Sequence, residues 1–189
     1  MTRRELMAAA AAMATATAIR PAPASAQEAA RRVASADGQY DLKVYTPHEF
    51  ATVTLVADML IPRDERSGSA SDAGVPQWMD AILDLEPGMR TAHRGGLAWL
   101  DHECRERFGK RFIECTDAER RTMLDLIAYP KTADPALSHG VSWFTSVRDF
   151  VASGFWTSQI GITDLGYQGN RPVLEWTGCP DEANRKAML

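Results

Sequence analysis

A chain of 189 residues, 45 % hydrophobic and 24 % charged, has the length and composition of one globular domain with a short extension. Its formal charge of −4, with no lysine- or arginine-rich block, excludes the basic face that a nucleic-acid partner requires. After residue 27 no apolar run reaches the length of about eighteen residues needed for a membrane-spanning helix.

Residues 1–26 read as a twin-arginine signal peptide. Arg3 and Arg4 stand before Glu5 and Leu6, and Leu6 to Ile19 carries no charge. Arg20 and two prolines follow, then Ala24-Ser25-Ala26, a small-x-small site for cleavage between Ala26 and Gln27. A standard secretory leader is the nearest rival, but its apolar region is usually richer in leucine than this one. An amphipathic surface helix fits less well, because Leu6–Ile19 has no polar face. Removal of the leader takes three arginines and one glutamate with it and moves the formal charge from −4 to −6.

Residues 27–45 are mixed and polar without a sustained period, and are expected to form an N-terminal arm or linker with a turn at Asp37-Gly38. The helical domain is expected over 46–189. Thr46-Pro47-His48-Glu49 is a capping box with proline at the first helical position, and Phe50, Val53, Ala57 and Leu60 continue at helical spacing up to Pro62. Arg63-Asp64-Glu65-Arg66 opens a Ser/Gly-rich loop, read as solvated and internally ion-paired rather than as a binding loop. A second helix spans Val75 to Leu85, with Trp78, Ile82 and Leu85 on one face. The third, from about Met89 to Phe108, carries the stripe Leu97, Leu100, Cys104 and Phe108 and stops at Gly109. Thr116-Asp117-Ala118-Glu119 caps the fourth, whose apolar face is Met123, Leu124, Ile127 and Ala128. The fifth runs from His139 to Val151 with Trp143, Phe144 and Val147, and is expected to stop by Gly154.

Beyond Gly154 the chain mixes glycines with Phe155, Trp156, Tyr167 and Trp176 and keeps no period. Such a segment can wrap its own helices, lie on a partner, or both. A short last helix near Pro180 is also expected. No convincing alternating strands occur, so the fold class is mostly α: one compact domain of about five helices with a long irregular Gly/aromatic-rich C-terminal segment.

The sequence contains no catalytic, cofactor or metal signature. It has no dinucleotide fingerprint, phosphate loop, haem-attachment motif or paired metal-binding cysteines. His48, His93, His102 and His139 are never three or four apart, so no two share a helix face as ligands would. Asp101-His102-Glu103-Cys104 is read as a solvated helix face with a buried thiol. In an oxidising compartment Cys104 and Cys115 are a candidate disulfide across the turn at Gly109. Cys179 is then left over, either as a bond to a partner or as a buried thiol.

Leu55-Val56-Ala57-Asp58-Met59-Leu60-Ile61-Pro62-Arg63-Asp64-Glu65, followed by Ala73-Gly74-Val75, resembles the gluconate 2-dehydrogenase subunit 3 family. So do Gly154-Phe155-Trp156-Thr157-Ser158-Gln159-Ile160-Gly161-Ile162, the run Asp164 to Asn170, and Trp176-Thr177-Gly178-Cys179-Pro180. The resemblance covers roughly residues 46–180. It implies a small, non-catalytic subunit of a periplasmic dehydrogenase acting on sugars, sugar acids or polyols. It also implies a large flavoprotein partner of the glucose–methanol–choline type that carries FAD, and a cytochrome subunit with haem c in some complexes. The small subunit would supply the signal read by the twin-arginine translocase, act as escort and chaperone, and remain bound, with membrane association through partner subunits. Phe155, Trp156, Tyr167, Trp176 and Cys179 are the expected partner interface. Cys104 and Cys115 have no counterpart in the family pattern, which weighs against pairing them. The alternative is a free-standing periplasmic binding or scaffold protein.

Overall fold

Two capping boxes begin two of the helices as their sequences require. Thr46 accepts from the Glu49 backbone N–H while Glu49 accepts from the Thr46 N–H, and Thr116 and Glu119 repeat the exchange. The computed structural model describes residues 22–36, 39–167 and 169. Its helices are α1 (Pro23–Ser35), α2 (Pro47–Leu60), α3 (Val75–Leu85), α4 (Arg90–Phe108), α5 (Asp117–Ala128), α6 (Ser138–Thr157) and α7 (Gln159–Asp164). Short 3-10 turns occur at Pro87–Met89, Phe112–Glu114 and Pro135–Leu137, and there is no strand among the described residues. The mostly α expectation is correct, and the five helices read from the sequence are α2 to α6.

The central helix is α6, which touches α2, α3, α4, α5 and α7. It buries Trp143, Phe144, Val147, Phe150, Val151 and Phe155. In α3, buried between α1, α2 and α6, eight of eleven residues are enclosed. Met79, Ile82 and Leu83 there are completely buried, each contributing about 1.5–3 kcal/mol of transfer free energy. Among the described residues no helix is long and apolar enough to cross a membrane.

The family-like stretch after α2 is a structural corner. Asp58 accepts from the Ser71 N–H and hydroxyl, Ile61 O accepts from the Ala70 N–H, and Gly74 (φ 71°) takes the left-handed conformation that starts α3. The charged loop is internally paired as expected. Asp64 accepts from the backbone of Arg66 and Ser67 and Arg63 pairs with Asp72, while Arg66 reaches out of the loop to Asp164, the last residue of α7.

The structure corrects the bounds of two elements read from the sequence. The arm expected over 27–45 is helical as far as Ser35, and α1 begins at Pro23, within the expected leader. It docks on α3 through Ala29, which is fully buried, and through partly buried Ala26 and Val33. Three small apolar side chains give little periodic signal, and packing against α3 supplies what propensity does not. In addition, α6 runs through Gly154 to Thr157 and α7 follows at once. Gly154 does not end the helix; it leaves room for Trp78, whose ring would lie 2.8 Å from a Cβ at that position. Arg3, Arg4, the Asp37-Gly38 turn, Trp176, Cys179 and the expected helix near Pro180 lie outside the described residues.

Candidate functional site

Among the described residues the buried polar groups near the core are largely satisfied internally, Gln77 Oε1 excepted. The Asp80 carboxylate, fully buried on α3, accepts from the backbone N–H groups of Lys43, Val44 and Tyr45 and from the Tyr40 hydroxyl. It clamps residues 40–45 to α3 and leaves no lone pair directed at a ligand. His93 is 5 % exposed, with the Tyr45 hydroxyl 2.6 Å from its Nε2. Burial lowers its pKa to about 4, against a weaker upward pull from Glu49, so the ring is neutral at physiological pH. Burial likewise pushes the Tyr45 hydroxyl well above its ordinary value.

Asp101 joins three elements. Its Oδ2 lies 2.5 Å from His48 Nε2 on α2, and its Oδ1 accepts from the Phe112 N–H in the turn after α4. The pair lines a shallow depression with Glu49, Thr52 and Arg105. Of the run Asp101 to Cys104, Asp101 and Cys104 point inward and His102 is exposed, so the residues do not converge. No group of three or more potential metal ligands occurs among the described residues.

Cys104 and Cys115 are brought together. Both are buried, each is the other's side-chain hydrogen-bond partner, and both are thiols. Burial, then the neighbouring Cys115, pushes the Cys104 thiol up to about 12, which makes it a poor nucleophile.

A reciprocal contact that the sequence reading missed locks α4 to α6. Trp143 covers Gly96 and Trp99 covers Gly140, so a Cβ on either glycine would run into an indole. The Trp143 N–H donates to His93 O, closing the crossing. The signal was present as Gly-x-x-Trp at 96–99 and again at 140–143. Beside this crossing lies an open cleft of about 350 Å³, with Thr91, Gly95, His139, Ser142 and Ser146 along its walls. It holds no acid–base pair and no charged anchor.

The surface feature that stands out is the end formed by the last turn of α6 and α7. Trp156 is 40 % exposed, Leu165 59 % and Tyr167 56 %. Of the expected interface residues, Trp156 and Tyr167 are therefore on the surface. Phe155 is not: it is 1 % exposed in the core, with its ring against Trp156, because α6 turns that position inward. Leu165 was missed, since a single leucine in a Gly-rich stretch has no periodic context. Gly161 lets α7 fold tightly on α6, because a Cβ there would strike the Phe155 carbonyl.

A family model described as gluconate 2-dehydrogenase subunit 3 matches residues 47–175, from the first residue of α2 onward. Neither the curated proteins nor the solved structures give a match. The match takes in the Asp58–Ser71 corner, the Gly–Trp crossing, and the exposed end at Trp156 to Tyr167, while α1 lies outside it. This chain belongs to the gluconate 2-dehydrogenase subunit 3 family.

Proposed function

We propose that this chain is the non-catalytic small subunit of a periplasmic, FAD-dependent sugar, sugar-acid or polyol dehydrogenase. In this reading it carries a glucose–methanol–choline-type flavoprotein through the twin-arginine translocase and stays bound to it. The FAD belongs to that partner, since this chain has no dinucleotide fingerprint. A cytochrome with haem c is a third subunit where electrons leave by that route. Family membership supports the accessory role, and Arg3-Arg4 before an uncharged Ala-rich stretch supports the export role.

The observation that carries the reading is the apolar end. Trp156 and Leu165 expose large side chains on a body whose buried polar groups are largely satisfied within the fold. A tryptophan such as Trp156 is the kind of anchor that carries most of the energy of a lasting interface, with Leu165 adding apolar area beside it. In the tagged chain co-expressed with the flavoprotein, Trp156→Ala should weaken the complex by about 2 kcal/mol, roughly thirtyfold in affinity, and Leu165→Ala should weaken it by a smaller amount. Tyr129→Ala, at an exposed aromatic just after α5 and outside the α6–α7 end, should leave it unchanged. Equal retention of flavoprotein by all three variants would remove this surface from the interface.

A further inference from the structure

The peptide bond expected to be cut on leader removal is folded into the domain. Ala26 and Gln27 lie in the first turn of α1. The Ala26 carbonyl, which is the acyl carbonyl of that bond, accepts a 3.1 Å hydrogen bond from the indole N–H of Trp78. Trp78 is itself 6 % exposed and packs edge-on against Phe150 of the central helix. The turn is fixed at its start as well: the Ala26 N–H donates to Ala22 O, and the Ala22 N–H donates at 2.7 Å to Glu86 at the end of α3. One turn further on Ala29 is fully buried, and Arg32 reaches Asp84 at 3.1 Å. A peptidase reads its substrate as extended backbone, with main-chain hydrogen bonds running along it as in an added strand. A helical turn whose carbonyl is held by a core tryptophan cannot be read that way.

We propose that the leader junction is a gated processing site. The docked first turn of α1 shields the Ala26–Gln27 bond, and a leader peptidase cuts only molecules in which that turn has lifted off Trp78 and Glu86. Hydrolysis adds one water across the bond, leaving a carboxylate on Ala26 and an amino group on Gln27. When opening and closing are fast, the cutting rate follows the population of the open form, so contacts that hold the turn set the rate. The proposal rests on the leader reading and adds to it a folded-state control that a flexible junction would lack.

The test uses the full chain with its leader, incubated with membrane vesicles that contain leader peptidase; mass spectrometry reads the new N-terminus and the initial rate. Trp78→Phe keeps an aromatic side chain at this position while deleting the N–H, and Glu86→Ala removes the anchor from the surface side. Each should speed cutting about fivefold, the effect of losing one hydrogen bond. Ile127→Val, which loosens the core at distant α5, should leave the rate unchanged. A mature chain beginning at Gln27 with equal rates for wild type, Trp78→Phe and Glu86→Ala would overturn the gate while sparing the leader reading. So would an equal acceleration by Ile127→Val, because opening would then be global. A new N-terminus elsewhere, or none, would overturn both.

Discussion

A histidine ring with Tyr45 on its Nε2, Phe150 against its edge and 5 % exposure can take up a proton only with difficulty. The pKa of His93 falls to about 4 from an ordinary 6.5, chiefly through burial. The unfolded chain binds a proton at this position below pH 6.5, while the folded chain stays neutral until about pH 4. Stability therefore falls as the pH drops through that window. Glu114 and Glu119 are held at about 2, chiefly by Arg111 and Lys110, so their contributions fade as the pH falls from the ordinary 4.5 toward 2. The interval from pH 6.5 to 4.5 thus isolates the histidine. Between pH 7.5 and 5 the wild type should lose roughly 2 kcal/mol, a fall of about 4–8 °C in Tm. His93→Gln, which can still meet the Tyr45 hydroxyl, should flatten the profile. Parallel profiles for the two proteins would show that the ring is not what titrates.

Neighbouring glycines in α4 give a sharp contrast at the scale of the element. Gly95 faces open space, whereas Gly96 lies under Trp143. Gly95→Ala should stabilise by up to about 1 kcal/mol, the ordinary helix-propensity gain. Gly96→Ala and Gly140→Ala should each cost about 2 kcal/mol or more, because a rigid indole must move. Chemical denaturation of the three variants checks this, and a neutral Gly96→Ala would deny the crossing its role. The same contacts explain what was legible in the sequence. Helices α2 and α5 begin at capping boxes and α4 ends at Gly109 (φ 73°), because those are local effects written in a few adjacent residues. The extent of α6 was not legible: Gly154 reads as a stop until Trp78 is seen against it. Nor was α1, whose apolar face is Ala26, Ala29 and Val33 and whose stability comes from α3. The roles of Asp80 and Asp101 depend on backbone groups brought in from 35 to 37 and from 11 residues away, a relation no local pattern encodes.

At the scale of the whole molecule, the described helices close around α6, tie buried carboxylates to backbone, and leave an apolar end at α6–α7 on the surface. The candidate interface was legible only in part, because exposure is a property of the packed chain. Trp156 and Tyr167 are exposed, Phe155 is core, and Leu165 had no signal. A partner covering this end and forming an interface of ordinary size, roughly 1,600 Å² in total, would make a lasting complex. The most direct measurement is the absorption spectrum of the complex purified from the periplasm through a tag on this chain alone, co-expressed with its flavoprotein. A stoichiometric flavin spectrum, lost from the periplasm when Arg3 and Arg4 are both changed to lysine, is the predicted result. A colourless, well-folded monomer with no second polypeptide would contradict the account and favour a free-standing scaffold.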